Sequence, residues 1–212
     1  MRTIRKKALH LAVAMGVTFS AFSMSGVEAL PTGGKIRSGE AEIGKKEHAL
    51  VIDQHSHHVA LDWDLFNIER GESVVFNQLP TDIALNRVVG NSASEIYGSL
   101  KADGTVFLIN PRGILFGQGA QVDTGSLIAS TAQVNDSFMT SFGDGVEAIS
   151  LGLGETSTGK ILNAAEIKAQ GGLVALHAAV VENTGSIENP AGEVALSAAK
   201  NLHLAIWIRR AN

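Results

Sequence analysis

Apolar positions in the second half of this chain fall into short alternating pieces. Val174 and Leu176 flank a small residue, as do Val194 and Leu196. Asn163-Ala164-Ala165-Glu166-Ile167 returns as Asn183-Thr184-Gly185-Ser186-Ile187, and Gly172-Leu173-Val174-Ala175-Leu176 returns as Gly192-Glu193-Val194-Ala195-Leu196. Both offsets are 20 residues. A fixed period in this range marks a repeat architecture. Alternation means strands with one buried face, and the pieces are too short for the amphipathic helices of helical solenoids. Three short strands and three turns fit into ~20 residues at ~3.3 Å per strand residue, which makes one coil of a β-helix, with successive coils pairing ~4.8 Å apart.

The pattern therefore predicts an all-β fold, a right-handed parallel β-helix. Val174 should stack beneath Val194, Leu176 beneath Leu196 and Ile167 beneath Ile187. Asn163 should lie beneath Asn183 at a turn, where Asn tolerates the left-handed backbone and stacked amides bond along the axis. A looser copy lies upstream: Gly104–Ile109 and Gly125–Ser130 are 21 residues apart. Between them Asn110-Pro111-Arg112-Gly113 reads as a turn, with Gly113 free to take positive φ, and Ile114-Leu115-Phe116 begins a new strand. Residues 135–157 are more polar and read as a small excursion from the coil, a hairpin or a short helix.

Residues 30–100 lack the period but show strands at Ala49–Asp53, Val59–Trp63 and Glu72–Gln78. A solenoid must cover its open end, so this part is expected to supply an N-terminal β cap and the first coils, with Trp63 and Phe66 as plugs. Residues 101–204 hold the regular coils. After Leu204 the Gly/Asn punctuation stops, and 205–212 reads as an irregular tail, as in a truncated or frameshifted reading frame or a fragment.

Composition agrees with stacked short strands. The chain has 23 glycines and only 5% aromatic residues. It has no cysteine, which removes disulfides, thiolate metal sites and a cysteine nucleophile. Arg2, Arg5, Lys6 and Lys7 precede an apolar run from Ala8 to Met24, and Val27-Glu28-Ala29 offers small residues before a cut. Residues 1–29 thus read as a secretory signal cleaved between Ala29 and Leu30. The alternative, a membrane anchor, is disfavoured because the run is short and includes His10, Thr18, Ser20 and Ser23. Without residues 1–29, which hold four of the 17 basic and one of the 21 acidic residues, the net charge is −7. Such a chain has no evident attraction for nucleic acid or an anionic bilayer.

Candidate chemistry is sparse. His55 and His57 would share one face of a strand, with His58 beside them, but no further ligand matches, and an exposed loop cluster is the better reading. His177 occupies the repeat position of Ser197 and should face outward. Asp103, Asp123 and Asp144 stand near glycines and should serve turns. The Gly117-Gln118-Gly119 pair lacks a third glycine, so a nucleotide loop is weak. No catalytic constellation, metal site or cofactor is expected.

Several segments together resemble a known family. They are Leu30-Pro31-Thr32-Gly33-Gly34, Asp62-Trp63-Asp64-Leu65-Phe66-Asn67-Ile68, Gly71–Phe76, Ala84-Leu85-Asn86-Arg87-Val88-Val89-Gly90 and Gly104–Gly117. From about residue 30 to about 204 the chain is similar to the N-terminal secretion (haemagglutination-activity) domain of two-partner-secretion exoproteins. These are the filamentous haemagglutinin-type adhesins and haemolysins of Gram-negative bacteria. The resemblance implies a secretion and targeting module, not an enzyme, exported through the periplasm to the cell surface or medium. Its implied partner is a dedicated outer-membrane β-barrel transporter with periplasmic recognition domains. A host-cell receptor or glycan would follow only with a distal passenger. The family's secretion motif reads Asn-Pro-Asn-Gly-Ile, which carries over to Asn110, Pro111, Gly113 and Ile114, with Arg112 in place of the middle Asn. Asn86 and Arg87, with Val88, match another recurring segment. The alternatives are a carbohydrate-active β-helix enzyme, which needs clustered carboxylates on one face, and a purely structural surface fibre unit.

Overall fold

A computed structural model describes residues 30–145, 148–154 and 158–205. Two antiparallel pairs open the chain. Strand β1 (Lys35–Ser38) lies against β4 (His58–Trp63), and β2 (Ala41–Lys46) forms a hairpin with β3 (Ala49–Gln54). They give the predicted cap. From β3 onward the chain coils, and every neighbouring pair from coil to coil is parallel, the arrangement of a right-handed β-helix.

The first coil is β3 and β4, with Ile68 bridged to the next coil at Ile96. The second is β5 (Ser73–Asn77), β6 (Ile83–Val88) and β7 (Ser94–Ile96). The third is β8 (Ser99–Ile109), which bends round a corner, and β9 (Ile114–Phe116). The fourth begins with β10 (Gln121–Ser130), bent like β8. The chain then leaves the coil as α1 (Asp136–Ser141), a 3-10 turn (Phe142–Asp144) and β11 (Ala148–Gly152), and returns at β12 (Lys160–Asn163). The fifth coil is β13 (Glu166–Ala169), β14 (Leu173–His177) and β15 (Val180–Asn183). The sixth holds β16 (Ser186–Glu188) and β17 (Glu193–Ser197), after which β18 (Asn201–Ala205) turns aside to pair antiparallel with β11.

The register matches the repeat. Val174 pairs with Val194, Leu176 with Leu196, Ile167 with Ile187 and Asn163 with Asn183. Asn163 Nδ2 donates to Asn183 Oδ1 at 2.7 Å, so the predicted amide ladder forms. The upstream copy also holds, with Thr105 opposite Ser126 and Ile109 opposite Ser130. Earlier coils are longer: Leu50 stacks on Val74 and Val74 on Leu100, 26 residues on. Leu127 meets Val174 47 residues later because the excursion intervenes.

Two hydrophobic layers result. Inward residues such as Val59, Ala84, Val106, Leu127 and Val174 fill the solenoid, with Trp63 and Phe66 in edge contact near its capped end. The outward residues of the same strands, Leu85, Phe107, Ile128 and Ala175, are also apolar. The excursion folds over them with Met139, Phe142, Ile149 and Leu151. Strands buried on both faces read as continuous apolar runs, here Val106–Ile109 and Leu127–Ala129. At the far end Val194 and Leu196, in the inward column, are 47% and 50% exposed.

Several expectations are corrected by this second layer. His177 does point away from the solenoid interior, but it is fully buried. Its Nδ1 is 3.0 Å from Ser130 Oγ and its Nε2 is 2.9 Å from Ala199 O. His55 and His57 sit exposed in the loop between β3 and β4, as the loop-cluster reading expects. His57 Nδ1 lies 2.8 Å from Asp82 Oδ1, and His58, far from being exposed, is buried against the Phe142 ring. Asp103 and Asp123 lie within strands rather than turns. Asp123 pairs with Lys101, and Asp103 stands beside the register shift where β8 and β10 turn their corner. The tail's first residue, Ala205, closes β18, and 206–212 lie outside the described residues.

Candidate functional site

The predicted turn after β8 is built around one amide. Asn110 Oδ1 accepts from the Arg112 N–H at 2.9 Å, and its Nδ2 donates to Ser92 O and Ser94 Oγ, both at 3.0 Å. The turn closes with Gly113 N–H donating to Asn110 O at 3.0 Å. Pro111 occupies the second position, where its fixed φ suits the turn and its missing N–H costs nothing. Gly113 has φ +119°. That conformation strains any residue with a Cβ, and a Cβ there would stand 3.0 Å from Lys160 O. Ile114 then enters β9 and packs in the core. Asn110 is fully buried, so this motif holds adjacent coils together in the folded domain.

Asn86 and Arg87 lie on β6 with opposite orientations. Asn86 stands in the inward column between Leu61 and Leu108. Its Oδ1 accepts from Trp63 Nε1 at 2.9 Å, and its Nδ2 donates to Phe107 O at 3.1 Å. A buried amide in an apolar column is tolerated because its hydrogen bonds are made. Arg87 points outward. Its Nε and Nη2 grip both oxygens of Asp62 at 2.7 and 2.8 Å, Nη1 donates to Val134 O at 2.8 Å, and Nη2 reaches Asp136 Oδ1 at 2.7 Å. Arg37 from the cap adds a 3.3 Å contact to Asp62. One guanidinium thus ties two coils, the cap and the start of the excursion. The hydrogen bond to Asp62 raises the Arg87 pKa further, and the bond from Arg87 holds the Asp136 carboxyl below its ordinary value.

The two segments meet. Arg87, Val88 and Val89 form one wall of a surface groove of about 370 Å³, Pro111 and Arg112 the second, and Gln133, Val134 and Asp136 the third. Val89 is 52% exposed there, and Arg112 Nη2 donates to Asn91 Oδ1 at 3.1 Å. Of the six predicted residues, Arg87 and Pro111 line the groove, while Asn86, Asn110, Gly113 and Ile114 are buried behind or beside it. The sequence reading did not include Asp62, Val134 and Asp136. The Asn135 cap, whose Oδ1 accepts from Phe138 N–H at 2.8 Å, was a legible sign that a helix starts there. Among the described residues no group of three His, Cys, Asp or Glu side chains is placed to hold a metal ion.

A family model described as the TPS secretion domain matches residues 27–208. The chain belongs to the TPS secretion domain family. The Heme/hemopexin-binding protein of Haemophilus influenzae is 32% identical over 188 residues, covering 87% of this chain and 21% of that protein. A second Haemophilus influenzae protein of the same description is 40% identical over 84 residues, 39% of this chain and 9% of its own length. Among solved structures, the HMW1 secretion domain from Haemophilus influenzae superposes with a TM-score of 0.71 at 25% identity, over 81% of this chain and 45% of that one. The chain therefore spans about a fifth of the first relative's length and under half of the solved chain. Family and fold together make this a secretion domain of the two-partner type, whose members engage an outer-membrane transporter and are exported to the cell surface or medium. The family is one of secretion domains, and nothing in the comparisons supports a carbohydrate-active enzyme.

Proposed function

We propose that the transporter's periplasmic domains read the Asn86-Arg87 and Asn110-Pro111-Arg112-Gly113-Ile114 segments while the chain is extended, and that folding then withdraws them. The observation that carries this reading is burial. Asn86 and Asn110 are both 0% exposed in the folded domain, and Arg87 is 8% exposed. Their side chains are available to a partner only before the coils close. Recognition followed by burial makes export directional, because the folded product no longer presents the motif. The groove between Arg87 and Pro111 is what remains of the signal at the surface.

Removal of residues 1–29 belongs to the same proposal. Leu30, the first residue after the expected cut, is 4% exposed and packs in the core. Binding of heme or hemopexin is named for a relative of which this chain covers 21%, and it is not assigned to these coils. Adhesive, haemolytic or host-receptor activity would likewise belong to a longer exoprotein.

The test is a binding measurement with the purified periplasmic domains of a two-partner outer-membrane transporter that secretes this chain. Chain diluted from urea should be retained by those domains within its refolding time, and fully folded chain should not. Equal retention of the folded chain overturns the reading.

A further inference from the structure

A second groove, unrelated to the secretion motif, lies at the corner where each coil passes into its next turn. It has a volume of about 370 Å³ and is lined by Arg70, Glu72, Ser73, Tyr97, Ser99 and Gln121, with glycines between them. Its construction is ordered. The turn Glu69–Glu72 closes with Glu72 N–H donating to Glu69 O at 3.0 Å, and Gly71 takes φ +84° to make it. Arg70 at the tip lies across the next coil, its guanidinium carbon 5.4 Å from the centre of the Tyr97 ring. A Cβ on Gly119 would come within 3.1 Å of Arg70 Nη1, so the missing side chain leaves room for the guanidinium.

Beneath it, Ser73, Ser99 and Gln121 stand in register on three successive coils. Coil spacing of ~4.8 Å sets their separation. Arg70 makes a cation–π contact but no ion pair among the described residues, in a chain whose residues after 29 carry a net charge of −7. A guanidinium held over an aromatic ring, with no ion pair among the described residues, is suited to a planar oxyanion.

We propose that this groove is a binding site for an acidic saccharide. Arg70 takes the sugar carboxylate, Ser73 and Gln121 take ring hydroxyls, and the half-buried Tyr97 ring packs against an apolar sugar face. Glu72 Oε2, in the same wall, accepts from the Glu69 N–H at 2.9 Å and so fixes the turn, and its charge weighs against a bare inorganic anion. The volume lies at the lower end of the ~300–1,000 Å³ typical of small-ligand sites, enough for a short segment of chain.

Titration of the purified full chain with a uronic-acid oligosaccharide tests the assignment, with the neutral oligosaccharide of the same linkage and with sodium sulfate as comparisons. Saturable binding is expected for the acidic sugar. It should weaken at least tenfold in Arg70→Ala, less in Arg70→Lys, and severalfold in Gln121→Ala, with unchanged circular dichroism and melting temperature. Absence of binding to the acidic sugar overturns the proposal. So does equal binding of the neutral sugar, equal binding of sulfate, or unchanged affinity in a folded Arg70→Ala chain.

Discussion

Arg87 and Asp62 face each other across adjacent coils as a two-pronged pair, Nε to Oδ1 at 2.7 Å and Nη2 to Oδ2 at 2.8 Å. The pair is almost out of solvent, with side-chain exposures of 10% and 6%. Truncating one member of a buried pair leaves the other charge without compensation, which costs ~3–5 kcal/mol. Arg87→Met is therefore expected to lower stability by roughly 3 kcal/mol, toward the lower end because Arg37 still approaches Asp62 at 3.3 Å. Urea denaturation measures it. The double variant Arg87→Met, Asp62→Leu should recover part of the loss, since no charge then remains buried.

Asn110 and Arg112 separate the structural and transport roles of one motif. Asn110→Leu removes three side-chain hydrogen bonds, one of them to the fully buried Ser94 Oγ. A cost of ~1–3 kcal/mol follows for a buried group that loses its partner, so export of this variant fails partly for reasons of folding. Arg112 is exposed and gives up only its contact to Asn91. Arg112→Asn should change stability by less than ~0.5 kcal/mol while restoring the middle amide of the secretion motif. Tighter capture by the transporter's periplasmic domains is the expected result. Unchanged capture would mean that the middle position is not read.

Legibility in the sequence followed the regularity of the coil. From the end of the fourth coil through the sixth the chain repeats every 20 residues, so the stacking could be read down to Asn163 on Asn183. The second and third coils could be seen only as strands, because turns of differing length break the period: Val74 reaches Leu100 after 26 residues and Leu100 reaches Val122 after 22. The excursion was visible, but its docking was not, although Ile83-Ala84-Leu85 and Val106-Phe107-Leu108-Ile109 are apolar on both parities and so announce a covered outer face. The same oversight misplaced His177, whose position opposite Ser197 gives its direction but not what covers it. Asn110 and Arg87 could be singled out by resemblance. Their partners Ser92, Ser94, Asp62 and Asp136 could not, because each contact joins positions between 16 and 49 residues apart.

The two hydrophobic layers should come apart separately. Phe142 is fully buried between His58 and Phe138 under the excursion, whereas Leu176 is fully buried inside the solenoid. Phe→Ala costs ~3–5 and Leu→Ala ~2–5 kcal/mol in well-packed sites. Phe142→Ala should raise amide exchange in α1, β11 and β18 and leave β8 and β10 protected. Leu176→Ala should lower protection throughout the coils. Hydrogen exchange read by mass spectrometry distinguishes the two, and uniform loss in both variants would mean that the layers form one cooperative unit.

Acid should loosen the excursion first. His58 lies against Phe142 of the excursion and His177 between Ser130 and Ala199, and burial is the leading cause that lowers each below its ordinary 6.5. The charge of His57 lowers His58 further, while Asp82 opposes it. His58 Nε2 has no hydrogen-bond partner, so an added proton there would find no acceptor. Because the folded pKa values are depressed, the unfolded chain binds protons that the folded chain refuses. The stability tied to the neutral rings is complete above about pH 6.5 and is lost as the pH falls below it, by up to ~1.4 kcal/mol per pH unit for each ring. Melting temperature should therefore drop between pH 7 and 5, with early loss of protection in α1 and β11. His58→Gln and His177→Gln should each flatten the profile. A profile equally steep in the double variant would trace the acid sensitivity to other groups.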